Sequence, residues 1–161
     1  MRKIVTFLWF NDQVKEAVDL YVSLFEDAKI INTSYLTESV AEAAEKKTGD
    51  ISSIDFELND QNFTALNGGQ MYTFSEAISV AVNCKTQEEI DRLWDALTKE
   101  GEIISCGWLK DKYGLTWQIM PEILDIMMRD PDPIKADRVA TAMLSMDKLD
   151  ISELEKSYKG E

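Results

Sequence analysis

The chain of 161 residues contains no histidine, two cysteines and three prolines, and its basic side chains are few: seventeen against thirty acidic ones, a formal charge of −13. Without histidine the chain lacks the commonest metal ligand and the side chain best suited to proton transfer near neutral pH. Two cysteines, Cys84 and Cys106, form no CxxC pair, which predicts neither a zinc knuckle nor a disulfide framework and points to a reducing, cytoplasmic setting. The charge repels phosphate backbones and anionic lipid, so neither nucleic acid nor membrane is an expected partner. Met1 to Phe10 begins like a signal peptide, but its apolar run ends there and no small-residue cleavage site follows. No segment reaches the length of a membrane-spanning helix.

What is present is an internal repeat. Asn11-Asp12-Gln13-Val14-Lys15-Glu16-Ala17-Val18-Asp19 returns as Asn83-Cys84-Lys85-Thr86-Gln87-Glu88-Glu89-Ile90-Asp91, an offset of 83 − 11 = 72 residues. At that offset Phe7, Leu8 and Phe10 fall on Ser79, Val80 and Val82, and Tyr21, Leu24 and Phe25 fall on Leu93, Ala96 and Leu97. Repetition at one period reads as architecture. A chain of this length that is 45% hydrophobic can bury one core. The expectation is a single domain over 1–161 with two similar modules, about 1–70 and about 71–121, and a helical extension over about 122–161.

The pattern predicts a strand over about 3–10, then a helix over about 13–25 capped by Asp12 with Val14, Ala17, Val18, Tyr21, Leu24 and Phe25 on one face. A strand over about 29–37 follows. Ser39-Val40-Ala41-Glu42 reads as a capping box opening a short helix that ends near Gly49. A hairpin of 51–58 and 63–67 turns at Asn59 to Asn62. The second half repeats this order, with a strand over Glu76–Val82, a helix over about 86–99 that stops at Gly101, and a hairpin of Glu102–Lys110 with Leu115–Met120. Leu58, Asp60, Thr64 and Asn67 correspond to Leu109, Asp111, Leu115 and Gln118 at an offset of about 51. Asp130-Pro131-Asp132-Pro133 separates a short helix from an amphipathic one. A last helix, from about Ser152, is expected on the surface or against a partner chain.

These segments resemble the vicinal oxygen chelate superfamily, which includes glyoxalases, extradiol dioxygenases and antibiotic-resistance proteins. The resemblance is to its PhnB-like branch. It is carried by Phe7-Leu8-Trp9-Phe10, Ala65-Leu66-Asn67-Gly68-Gly69, Glu76-Ala77-Ile78-Ser79, Cys106 to Gly114 and Trp117-Gln118-Ile119, and covers roughly 3–147. It implies an α+β fold of two βαββ-type modules forming a cupped mixed sheet, with C-terminal helices, assembled as a homodimer. One departure is the Ala-rich Val40–Lys47, where relatives more often carry a Gly/Pro-rich loop over the pocket.

The positions of the superfamily's metal ligands fall on Val5, Asn67, Ala77 and Gln118. Two apolar groups and two neutral amides suit no divalent cation, so no metal is expected; a shift of one residue would replace Ala77 by Glu76. Members of the branch often carry a quinone-ring methyltransferase label. That chemistry calls for a glycine-rich loop after a strand, and Gly68-Gly69 reads instead as a turn, so no cofactor is expected. Cys106 as a nucleophile would need a base other than histidine; an unpaired cysteine is more often a small buried hydrophobe. Glu57 and Glu76 are the carboxylates expected nearest the pocket; a raised pKa there would support proton transfer, and a solvated strand-end carboxylate is the favoured reading.

If Val5 faces the cup, alternation places Phe7 and Trp9 with it and Thr6, Leu8 and Phe10 against a helix; on the last strand Thr116, Gln118 and Met120 face in and Trp117 out. The expected ligand-binding set is Val5, Phe7, Trp9, Asn67, Trp108, Thr116 and Gln118, a wall for an uncharged or weakly polar ring-bearing organic molecule. Two readings of the aromatics stay open, since they either line the cup or fill it, and Trp108 suits a pocket or a dimer contact. The chain is expected to bind a small molecule without a metal. The alternatives are an isomerase, lyase or transferase with a histidine-free site, and a purely structural dimer.

Overall fold

The computed structural model describes residues 4–161; Met1 to Lys3, with which the first module and first strand were expected to begin, lie outside them. The chain divides into two compact units, one ending at Thr73 and one running from Phe74 to the C-terminus. Among the described residues there are eight strands in two four-stranded sheets, and six helices. The fold is α+β.

The first unit runs β1 (Thr6–Phe10), α1 (Val14–Leu24), β2 (Ala28–Tyr35), α2 (Glu38–Ala43), β3 (Ile51–Leu58) and β4 (Gln61–Asn67). Its sheet has the order β1-β4-β3-β2, with β1 parallel to β4 and the other pairs antiparallel. Helix α1 buries Val14, Ala17, Val18, Tyr21 and Leu24, the expected stripe without Phe25. Against it lie Leu8, Phe10, Ile54, Phe56, Phe63 and Ala65. Phe56 and Phe63, registered partners on adjacent strands, stack at 5.2 Å. Asn59 and Asp60 both have positive φ and make a two-residue turn, shorter than the four residues expected.

Helix α1 is capped differently from the expectation. It starts after Gln13, and the backbone N–H of Val14 donates to Asn67 Oδ1 at 3.1 Å, so a residue on β4 does the work assigned to Asp12. Helix α2 follows Thr37 without a side-chain cap and ends early, the chain leaving through Glu45 in the left-handed region at φ 55.

The second unit runs β5 (Val80–Cys84), α3 (Gln87–Thr98), β6 (Glu102–Ser105), β7 (Trp108–Lys110), β8 (Thr116–Pro121), α4 (Glu122–Met128), α5 (Pro133–Leu144) and α6 (Ile151–Lys159). Its sheet order, β5-β8-β7-β6, repeats the first unit's, again with one parallel pair, β5 and β8. Each unit therefore follows a βαβββ plan, one strand more than βαββ. Helix α3 buries Ile90, Leu93, Trp94 and Leu97. The Thr86 hydroxyl caps it by accepting from Glu89 N–H at 3.2 Å, while the Glu89 carboxylate accepts from Lys85 N–H at 2.9 Å.

Two expectations fail here. The strand placed at Glu76–Val82 forms only from Val80, because Leu115, which would be the partner of Ile78, spends its backbone in a turn: its carbonyl accepts from Asp111 N–H at 3.0 Å and its N–H donates to Asp111 Oδ1 at 3.1 Å. The strand placed at Glu102–Lys110 is two strands, since Cys106 and Gly107 sit at φ 53 and 82 and reverse the chain. The last helix, α6, buries Leu154 with Leu124, Met127, Val139 and Leu149 and leaves Ser152, Glu153, Lys156 and Lys159 exposed. Helix α5 starts as the Asp-Pro pattern predicts, with Asp132 accepting from Ile134 N–H at 3.0 Å and Pro133 in the first turn.

Candidate functional site

In the first unit, β1 turns Leu8 and Phe10 toward α1 and Phe7 and Trp9 to the other face, as alternation predicts. Phe7 is 68% exposed, and Val5, just ahead of the strand, is 37% exposed. Trp9 is half-buried under its own unit's loop. Its Nε1–H donates to the Gly69 carbonyl at 2.9 Å and Tyr72 meets its ring edge-on at 4.9 Å. A Cβ at Gly68 would lie 2.2 Å from the indole, so the position is glycine because the ring occupies that space. Asn67 does not share this face. It is the registered partner of Phe10, and parallel partners point the same way. Its Oδ1 caps α1 and its Nδ2 donates to the Ile51 carbonyl at 3.0 Å, which commits the amide to the scaffold.

In the second unit, β8 turns Trp117 and Ile119 toward α3, and both are buried. Trp117 Nε1–H donates to Asp111 Oδ2 at 2.9 Å, and Asp111 Oδ1 accepts from Tyr113 and Leu115 N–H at 2.9 and 3.1 Å. On the opposite face stand Thr116, Gln118 and Met120. Thr116 is fully buried and its hydroxyl has no hydrogen-bond partner among the described residues. Gln118 Nε2 donates to Ser79 Oγ at 2.7 Å, and the registered partners of Gln118 are Ala81 and the half-buried Trp108.

This face borders a cleft of about 610 Å³. Ala81, Asn83, Gln118, Met120 and Pro121 form its sheet side; Glu122, Leu124, Asp125 and Met128 of α4 and Arg129 at its end continue around it, and Met143 closes it from α5. The structure thus brings Gln118 to a cleft and leaves Val5, Phe7, Trp9 and Asn67 in the other unit, while Trp108 and Thr116 share Gln118's face without lining the cleft. Sequence reading missed Asn83, Met128 and Met143. Asn83 opens the second copy of the repeat and was legible to that extent; the two methionines are brought there only by the packing of α4 and α5.

Of the four positions that match the superfamily's metal ligands, Asn67 and Gln118 carry side-chain donor atoms. Val5 and Ala77 have no donor atom, Asn67 is spent on α1, and among the described residues no three His, Cys, Asp or Glu side chains group to hold a metal. Gly68-Gly69 leads from β4 into the loop over Trp9 rather than into a helix N-terminus, so it makes no phosphate cradle. Glu76 does not have the raised pKa that proton transfer would call for: the hydrogen bond from the Lys110 ammonium holds its carboxyl below the usual range. Glu57 pairs with Lys29 at 2.8 Å. Burial pushes the Cys84 thiol up to about 12, which removes it as a nucleophile.

Two successive βαβββ units with the same strand order define the vicinal oxygen chelate class of fold. A Pseudomonas aeruginosa protein shares it at 18% identity, over 76% of this chain and 98% of that one, with a TM-score of 0.57. So does the fosfomycin resistance protein FosX of Listeria monocytogenes, at 15% identity over 80% and 97%, with a TM-score of 0.51. A PhnB protein from Bacillus cereus is 34% identical over 74% of this chain and 99% of that one, with a TM-score of 0.66. The family model described as 3-demethylubiquinone-9 3-methyltransferase matches residues 2–120, and the chain belongs to that family, in the PhnB-like branch of the superfamily. No curated protein matches the chain.

Proposed function

We propose that the chain is a small-molecule binding protein of the PhnB-like branch, acting as a cytoplasmic homodimer and without a metal. The observation that carries the reading is the cleft on the face of β5 and β8. It joins the amides of Asn83 and Gln118, which donate and accept, to the thioethers of Met120, Met128 and Met143, which reshape around an apolar body. A volume of about 610 Å³ suits an organic molecule of drug size. Affinity alone then suffices for function: the hydrogen bond from Lys110 holds the Glu76 carboxyl below its usual range, the wrong direction for a proton shuttle near neutral pH. Exposed apolar side chains on α4 and α5, Ile126, Ile134 and Leu144 at 72, 66 and 70%, support a self-association surface.

Native mass spectrometry of freshly purified protein tests this. A dimer with a co-purified organic adduct, and loss of that adduct in Gln118→Ala, is the expected result. A bound divalent cation in place of the adduct overturns the reading.

A further inference from the structure

We infer that the C-terminal extension, helices α4 to α6, selects the ligand, and that what it selects is an organic cation with an apolar body. This rests on the binding reading above. The family match stops at Met120, and 99% of the Bacillus cereus PhnB protein is covered by 74% of this chain. About a quarter of this chain therefore has no counterpart there. Yet seven of the cleft's eleven lining residues, from Pro121 to Met143, belong to that added segment. The family core supplies one side of the cleft and the extension supplies the rest.

The added wall is fixed in place by the core through Gln87, Cys106 and Gly107, none of which lines the cleft. Cys106 and Gly107 N–H donate to the carbonyls of Met146 and Asp147, each at 2.7 Å. Gln87 grips the next stretch twice, its Nε2 donating to the Leu149 carbonyl at 3.1 Å and its Oε1 accepting from Ile151 N–H at 2.9 Å. Gly107 admits no side chain there, since a Cβ would lie 2.8 Å from the Ile119 carbonyl and 3.1 Å from Leu149. Leu149 is itself fully buried. A wall anchored in this way before any ligand arrives can impose selectivity.

Its chemistry is apolar with one net negative charge. Leu124, Met128 and Met143 give a polarizable surface. Arg129 is paired with Asp125 at 3.0 Å, while Glu122 has no ion pair among the described residues. The field of a chain carrying −13 has the same sign.

Fluorescence titration of the full-length protein with rhodamine 6G, a lipophilic cation, and 8-anilinonaphthalene-1-sulfonate, a lipophilic anion, tests the inference, with melting curves to confirm that each variant folds. The cation should bind more tightly. Met143→Trp, which fills the cleft from α5, should weaken it by about tenfold or more. Glu122→Gln should weaken it by about threefold and Arg129→Glu should tighten it by a similar factor, both effects shrinking with salt. Equal or tighter binding of the anion overturns the inference. So does cation binding that survives both Met143→Trp and Arg129→Glu unchanged but is lost in Gln118→Ala, since the core would then be selecting. If neither dye binds while the co-purified adduct persists, this inference falls and the binding reading stands; if neither dye nor adduct is present, both fall.

Discussion

The two units follow one plan and finish it in opposite ways. On the face of the first sheet turned away from α1 stands Trp9, roofed by the Gly68–Tyr72 loop and bonded to it through Nε1. At the repeat offset, 9 + 72 = 81, the second unit has Ala81, and there the face opens into the cleft. The segments that follow the last strands diverge in step. After β4 the chain passes through two glycines and folds over the indole; after β8 it enters α4 and stands off from the sheet as a wall. A duplicated scaffold holds both copies to the same core side, because each helix must be buried, and leaves the other side free to be filled in one copy and emptied in the other.

The widest separation between the units should come from their corresponding turn carboxylates. Asp111 is buried and accepts from two backbone N–H groups and the Trp117 indole. Its counterpart Asp60 is an exposed turn residue at φ 65. Asp111→Ala leaves a buried indole N–H unpaired and should cost about 3–4 kcal/mol in urea denaturation. Asp60→Asn, which tolerates the left-handed backbone, should stay within about 0.5 kcal/mol. Comparable losses at both sites would mean that the turns are energetically alike.

Trp9→Ala comes next. It removes a half-buried aromatic together with its bond to Gly69 and its contact with Tyr72, and about 2–3 kcal/mol should be lost. The filled face is then worth more to stability than to binding, so any co-purified adduct should persist. Loss of the adduct in a folded Trp9→Ala protein would place the ligand in the first unit instead.

Alkali should find the second unit first. Cys84 is fully buried at the end of β5, where the first unit has the exposed Asp12 at the same offset, 84 − 72 = 12. Its thiol is raised by burial from 9.0 to about 12. The raised value means that below pH 9 both states hold the proton, whereas between pH 9 and about 12 the unfolded chain releases it and the folded chain does not. Stability must therefore fall with rising pH across that window. At pH 10.5 the loss from this group is roughly 2 kcal/mol. Melting at pH 8 and 10.5 should show a steeper alkaline decline in wild type than in Cys84→Ala, and parallel declines would deny the thiol this role.

How far the residues announced this is uneven, for physical reasons. The apolar stripes of α1 and α3 and the alternation of β1 and β8 were legible, since burial against one face imposes a period that survives in the sequence. Extents decided by a neighbour were not. Glu76 to Ser79 alternate like a strand, but their would-be partner is closed into the Asp111 turn. Cys106 takes a left-handed conformation that its identity does not advertise. Asn67 showed the same limit at the site: its amide suits a ligand, and only the register with Phe10 reveals that it faces α1. Gln118, on the strand with no such demand, does reach the cleft.

The smallest expected change in stability is the one that bears most directly on the contrast between filled and open faces. Ala81→Trp writes the first unit's residue into the second. Ala81 is exposed and lines the cleft, so a large side chain there meets open space rather than a packed interior. Overpacking costs arise only where neighbours cannot yield. The change in unfolding free energy should stay within about 1 kcal/mol. The indole would nonetheless occupy the space beside Gln118, its registered partner, and any co-purified adduct should be lost from the native mass spectrum with no change in oligomeric state. An adduct retained at full occupancy in Ala81→Trp would mean that the space opened by the small residue is not where the ligand sits, and the difference between Trp9 and Ala81 would then be one of packing alone.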